Sequence, residues 1–156
     1  MSQTLAPVRP SIKAIIVREA QLLVIANRNA AGETFYILPG GGQELLESAP
    51  QTLQRECLEE IGVGVRVGAL LYVRDYIARN HEFAAESPLF HALELMFECD
   101  LEPGEEPRVG TLPDDLQIGV RWLPLETLAS SDFYPSALRD ALARGDRSRV
   151  YLGDVN

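Results

Sequence analysis

Glu56, Glu59 and Glu60 are the residues of this chain best spaced for chemistry. On a helix, at about 100° per residue, they fall within an arc of roughly 100°, so three carboxylates share one face. Like charges at that spacing repel. Near a helix C-terminus the dipole disfavours them further. A hard divalent cation that prefers oxygen ligands, Mg²⁺ or Mn²⁺, relieves both problems. An acidic helix face is usually a solvated one, so the neighbouring residues have to decide between the two readings.

Those neighbours predict the helix. Ser48 caps its start by accepting an orphan N–H of the first turn. Pro50 falls in that turn, where a missing donor costs little. Gly62 ends it in the left-handed conformation. Leu53, Cys57, Leu58 and Ile61 form the expected buried face. Just before it, Pro39-Gly40-Gly41-Gly42 lets the backbone turn tightly and approach a metal or phosphate with no side chain between.

The whole stretch from Gly41 to Val63, GGQELLESAPQTLQRECLEEIGV, resembles the Nudix box, G-x5-E-x7-R-E-U-x-E-E-x-G-U with U apolar. Gly41, Glu47, Arg55, Glu56, Glu59, Glu60, Gly62 and Val63 match it, and Cys57 fills the remaining apolar slot. The resemblance implies a metal-dependent hydrolase of a nucleoside diphosphate linked to another group X, with Mg²⁺ or Mn²⁺ as cofactor. It implies metal positions at Glu56, Glu59 and Glu60, support from Glu47, and a backbone carbonyl at Gly40. Gly41, Arg55 and Gly62 are then structural, Arg55 by pairing with Glu47; contact between Arg55 and substrate phosphate is the competing role. The general base is a box glutamate or an acid on the loop before the Trp122 strand, where Asp115 is the candidate beside Asp114. Glu94 and Glu98 are further candidates. Arg28 is placed to meet phosphate or base, and Tyr36, Tyr76, His81 or Phe83 to stack on a base.

Around this helix, short β-rich runs predict strands at Ile12–Val17, Leu22–Ala26, Phe35–Leu38, Val63–Val67, Ala69–Tyr76 and Gln117–Leu123, and side chains alternate along the longest, Leu89–Leu101. A last helix is expected over Pro135–Ala143. The pattern is α+β, and the element order is similar to the Nudix fold, a mixed β-sheet sandwiched between helices (α/β/α). The expected organisation is a flexible lead-in at 1–11, one domain at 12–143 and a tail at 144–156.

The 156 residues and 17.2 kDa suit one domain with a substantial core. A net charge of −9 argues against a broad nucleic-acid surface, so no DNA partner is expected. Cys57 and Cys99 form neither a zinc pattern nor a disulfide framework and read as buried thiols. No signal-peptide core or transmembrane run is visible, so a soluble cytoplasmic protein acting on a small nucleotide is expected. Family resemblance adds a homodimer.

The substrate is less defined. The resemblance favours a (d)NTP or a nucleotide sugar such as ADP-ribose. The alternatives are an RNA 5′ pyrophosphohydrolase and a non-catalytic nucleotide sensor. The family's NADH and coenzyme A tags are missing. Arg79 stands where ADP-ribose hydrolases carry proline, and Asn80-His81-Glu82 where dinucleoside-polyphosphate hydrolases carry tyrosine.

Overall fold

The structure, a computed structural model, describes residues 6–156. Its strands and helices run β1 (Arg9–Ile15), β2 (Val17–Arg18), β3 (Gln21–Arg28), β4 (Thr34–Ile37), β5 (Gly40–Gly42), α1 (Ala49–Ile61), β6 (Val65–Ile77), β7 (His91–Leu101), β8 (Gln117–Pro124), β9 (Phe133–Tyr134), α2 (Arg139–Arg144) and β10 (Tyr151–Asp154). Short 3₁₀ turns occupy Ala78–Asn80, Leu125–Ser130 and Ser136–Leu138. One sheet has the order β10-β6-β7-β1-β5; the other runs β2-β3-β4-β9, with β8 on the free side of β3. Both are mixed: β1 is parallel to β7 while β6 is antiparallel to it, and β4 is parallel to β9 while β8 is antiparallel to β3.

Period-two alternation splits the apolar residues between two cores. Leu23 and Ile25 of β3, with Ile12 and Ala14 of β1, pack against Leu53, Cys57 and Ile61 of α1. Leu22 and Val24, with Ile15, point the other way, onto Leu128, Phe133, Leu138 and Leu142. The β-structure is therefore covered on both faces, and the expected α/β/α layering is present.

The carboxylate helix is fastened at both ends. Ser48 Oγ accepts from Gln51 N, and Gln51 Oε1 accepts from Ser48 N at 2.8 Å, a reciprocal capping box. Gly62, with φ of 68°, closes the other end. The carbonyls of the last turn are met by backbone donors. Leu112 N, Gly110 N and Arg108 N donate to the carbonyls of Glu59, Glu60 and Ile61 at 2.9 to 3.1 Å. The acidic loop after β7 thus satisfies acceptors that a helix end leaves orphaned.

Four expectations need correction. Leu58 is 53% exposed, and Thr52 takes its place in the buried set, because the face turned to the sheet is narrower than the apolar run. The two strands expected between Val63 and Tyr76 are one, β6, whose pairing with β7 shifts register between Val67 and Tyr72. β1 starts at Arg9, where it pairs with Ala92, so residues 9–11 of the expected lead-in are strand; residues 1–5 lie outside the described residues. At the other end, residues 151–154 pair with β6 as β10. Asp154 pins them by accepting from Ile77 N, Asn80 Nδ2 and His81 Nε2.

Candidate active site

β5 lies antiparallel to β1, and α1 packs over it. Gly40 is buried with φ of 133°, and a Cβ there would overlap the Ile12 carbonyl. A Cβ on Gly41 would lie 2.5 Å from Glu56 Oε1. Gly40 is therefore fixed by its backbone conformation and its contact with β1, and the bare Gly41 leaves room for the Glu56 carboxylate. Glu60 is 3% exposed and accepts from Gly40 N at 2.9 Å. Burial pushes its carboxyl up to about 8, against the opposing pull of Lys13 and the Gly40 N–H. Glu56 is also raised by burial, although Arg55 opposes the shift by donating at 3.0 Å.

Glu47 is held differently. Its carboxylate accepts from Arg55 Nε at 2.6 Å, Arg55 Nη2 at 3.0 Å, Thr52 Oγ1 at 2.9 Å and Glu44 N at 3.1 Å. Arg55, with the Glu44 N–H, holds it down at about 2. The guanidinium of Arg55 also lies 3.6 Å from Glu59 and donates to the Gly42 carbonyl at 3.1 Å. Arg55 thus bonds to the loop, β5 and the helix at once.

Among the described residues no three His, Cys, Asp or Glu side chains converge tightly enough to form a ready cation cage. The donor set nevertheless suits a hard cation. Glu60 is a buried carboxylate whose protein hydrogen bond comes from one N–H, and the Gly40 carbonyl beside it is met by Lys13 Nζ at 3.3 Å.

The glycine floor opens into a cavity of about 280 Å³. Arg9, Ser11 and Lys13 alternate along β1 on its wall, and the Arg9 guanidinium lies against Gly42. Phe35, Phe83 and Tyr134 form an aromatic cluster with centroids 5.6 to 6.4 Å apart. Tyr76 and Phe90, 6.1 Å apart, line it further out, beside Arg74 and Glu94.

The sequence model of the NUDIX domain matches residues 7–144. The chain belongs to the NUDIX domain family. It is a Nudix hydrolase, an enzyme acting on phosphoric anhydrides. A MutT Nudix hydrolase from Burkholderia pseudomallei is similar at 26% identity, with 92% of this chain and 100% of that one covered and a TM-score of 0.67. A Nudix hydrolase from Nitrosomonas europaea superposes with a TM-score of 0.70 at 17% identity, over 97% of this chain and 80% of the other. An ADP-ribose pyrophosphatase from Streptococcus suis 89-1591 does so at 0.61 and 17%, over 95% and 98%. No protein with a curated description matches the sequence. Among the described residues no helix is long and apolar enough to cross a membrane.

The remaining expected residues of this Nudix domain divide clearly. Asp114, not Asp115, borders the cavity, and its charge acts on Glu60. Asp115 is outside the lining. Arg28 is exposed at the end of β3, away from the cavity. Tyr36 packs against the second core, because its strand neighbours Phe35 and Ile37 take the cavity side. Tyr76 and Phe83 do line the cavity, while His81 stacks on Tyr76 at 5.5 Å and hydrogen-bonds Asp154 at 2.7 Å. Glu98 pairs with Arg147 on the surface. Arg9 and Lys13 went unread as site residues. The signal was available: they alternate with buried Ile12 and Ala14 on the strand beside the glycines.

Proposed function

We propose that this enzyme is a metal-dependent pyrophosphohydrolase cleaving a nucleoside diphosphate linked to another moiety X, with a (d)NTP or a nucleotide sugar such as ADP-ribose as substrate. One observation carries the reading: buried Glu60 and half-buried Glu56 reach the glycine strand Gly40–Gly42, which lines one cavity with Arg9, Lys13 and an aromatic wall. Glu56, Glu59, Glu60 and the Gly40 carbonyl would hold Mg²⁺ or Mn²⁺. When bound, the cation neutralises phosphate charge and makes a water a better nucleophile at neutral pH.

The chain's own groups do the rest. Arg9 and Lys13 bind the phosphates and orient the anhydride, since phosphoryl transfer asks mainly for positioning and charge stabilisation. The aromatic wall holds the nucleoside and excludes water from one side. Glu47 acts through Arg55, keeping the glycine strand and helix in register, and touches the cation at most through water. Asp114 accepts the proton of the attacking water at its carboxylate, in place of the neighbouring Asp115. The free, buried thiols of Cys57 and Cys99 accord with a cytoplasmic setting. A homodimer is the assembly proposed, on family resemblance alone.

A substrate panel tests this. The protein is incubated with Mg²⁺ or Mn²⁺ and (d)NTPs, ADP-ribose, nucleotide sugars, dinucleoside polyphosphates and triphosphorylated RNA, and phosphate and pyrophosphate release is followed. One class should turn over. Glu56→Gln should slow it about 10²- to 10³-fold, the scale of losing one preorganised charge-stabilising group, and chelator should abolish it. Nucleotide binding with no turnover of any member would replace the hydrolase by a sensor.

A further inference from the structure

One strand beyond β1, where Glu94 is the register partner of Ser11, the cavity carries a second polar group. Arg74 of β6 and Glu94 of β7 are register partners, and both side chains are 8% exposed. Arg74 Nε and Nη2 both engage Glu94 Oε2. Its Nη1 donates to the Val155 carbonyl at 2.7 Å and to Asn156 Oδ1 at 3.0 Å. The guanidinium also lies over the Tyr76 ring, 5.0 Å from its centroid. Arg74 is therefore committed, and Glu94 is neutralised and fixed in place.

The other carboxylate oxygen is left over. Among the described residues Glu94 Oε1 accepts no hydrogen bond. It is not one of the enclosed unpartnered atoms, which are Asn27 Oδ1, Gln117 Oε1 and Asn156 Nδ2, and Glu94 lines the cavity. The structure thus presents one rigid, negatively polarised acceptor in an aromatic-lined cavity. Leaving such an oxygen unsatisfied under a ligand is costly, and an N–H donor satisfies it.

Resting on the reading of this cavity as a nucleotide site, we infer that Glu94 is a specificity-determining residue that accepts a hydrogen bond from an amino group on the edge of the bound base. Phosphates are repelled from it and are drawn to Arg9 and Lys13. Tyr76, Phe90, Phe35, Phe83 and Tyr134 give the cavity an aromatic lining that suits a flat base better than a sugar. An amino group supplies the donor Glu94 lacks. A keto oxygen at the same point brings acceptor against acceptor, so discrimination has an attractive and a repulsive part.

Nucleotide pairs that exchange an amino group for a keto oxygen or hydrogen test the inference: CTP with UTP, ATP with ITP, GTP with ITP. Dissociation constants are measured by calorimetry with Mg²⁺ for the wild-type chain, Glu94→Gln and Glu94→Asp, with kcat/KM beside them. At least one pair should favour its amino member about ten-fold or more, the scale of a hydrogen bond to a charged group. That preference should shrink to within about two-fold in Glu94→Gln. Glu94→Asp keeps the charge opposite Arg74 but withdraws the acceptor, and should lose the preference too. Because the nucleotide pairs compare ligands on one protein, the wild-type result stands even where a variant folds poorly. No pair differing beyond two-fold, a preference that survives Glu94→Gln, or one that follows the 2′-hydroxyl in CTP against dCTP overturns the inference. Turnover without amino discrimination sinks it and leaves the hydrolase reading intact; amino-selective binding without turnover does the reverse. Absence of any nucleotide binding overturns both.

Discussion

Glu60, which accepts from Gly40 N at the cavity floor, and Glu94, which lines the cavity two strands away, are 3% and 6% exposed, and their surroundings are opposite in kind. Glu94 faces Arg74 directly across a strand pair and is charge-balanced before anything binds. Glu60 has the Gly40 N–H and only the Lys13 ammonium nearby, and burial holds its carboxyl up at about 8. The floor is therefore short of positive charge, and the Glu94 side is short of one hydrogen-bond donor. Two buried carboxylates can thus divide a ligand between them: a cation with phosphates at one, a neutral polar edge at the other.

Stability should separate the two carboxylates most strongly. Glu94→Ala leaves the Arg74 guanidinium buried without a counter-charge, and breaking a buried pair in this way costs about 3–5 kcal/mol. Glu60→Gln removes a carboxyl that burial already disfavours and keeps an oxygen for the Gly40 N–H. Urea unfolding with chelator at pH 8 should show the large loss for Glu94→Ala and no loss, or a gain, for Glu60→Gln. Equal losses would erase the distinction between the two.

A second contrast lies within the floor. Asp114 and Asp115 are adjacent, but only Asp114 borders the cavity. Asp114→Asn should lower kcat about 10²-fold, the lower range for a general base, with little change in KM. Asp115→Asn and Arg28→Ala should stay within about two-fold, as exposed substitutions away from the site do. A large effect at Asp115 would mean that the loop rearranges on binding.

These residues also mark how far the sequence could be read. The floor was legible because its parts are close in the chain. Ser48, Gly62 and the glutamates act through helix geometry, and Arg55 reaches Glu47 across eight residues. Strands β3 and β7 were legible as a continuous apolar run and as a two-faced alternation. The Glu94 side was not, because Arg74, Glu94 and Asn156 meet only through strand register and the docking of β10. Tyr36 failed by one residue, since period two turns it to the core while Phe35 faces the cavity. Asp115 failed in the same way, by one place on a loop with no period to read. The anchoring of the acidic loop on the end of α1 had no local signal, because backbone N–H groups of any sequence can cap a helix.

The smallest predicted effect follows pH and sharpens the account of the floor. In the folded chain Glu60 binds its proton up to about 8, against an ordinary 4.5. Between those values the folded state holds a proton that the unfolded state has released. Stability of the metal-free protein must therefore fall as pH rises through this window. Glu47 works in the other direction. Arg55 and the Glu44 N–H hold it at about 2, so its contribution is present above 4.5 and is lost as pH falls toward 2. Metal-free protein should accordingly lose a few degrees of Tm between pH 5 and 8, the shift expected for about 1–2 kcal/mol in a domain of this size. Saturating Mg²⁺ should flatten that slope, because a bound cation keeps the carboxylate ionised and binding releases the proton. Glu60→Gln should flatten it without metal. A variant that keeps the wild-type slope would assign the alkaline loss to another group and remove the electrostatic case for a cation at this floor.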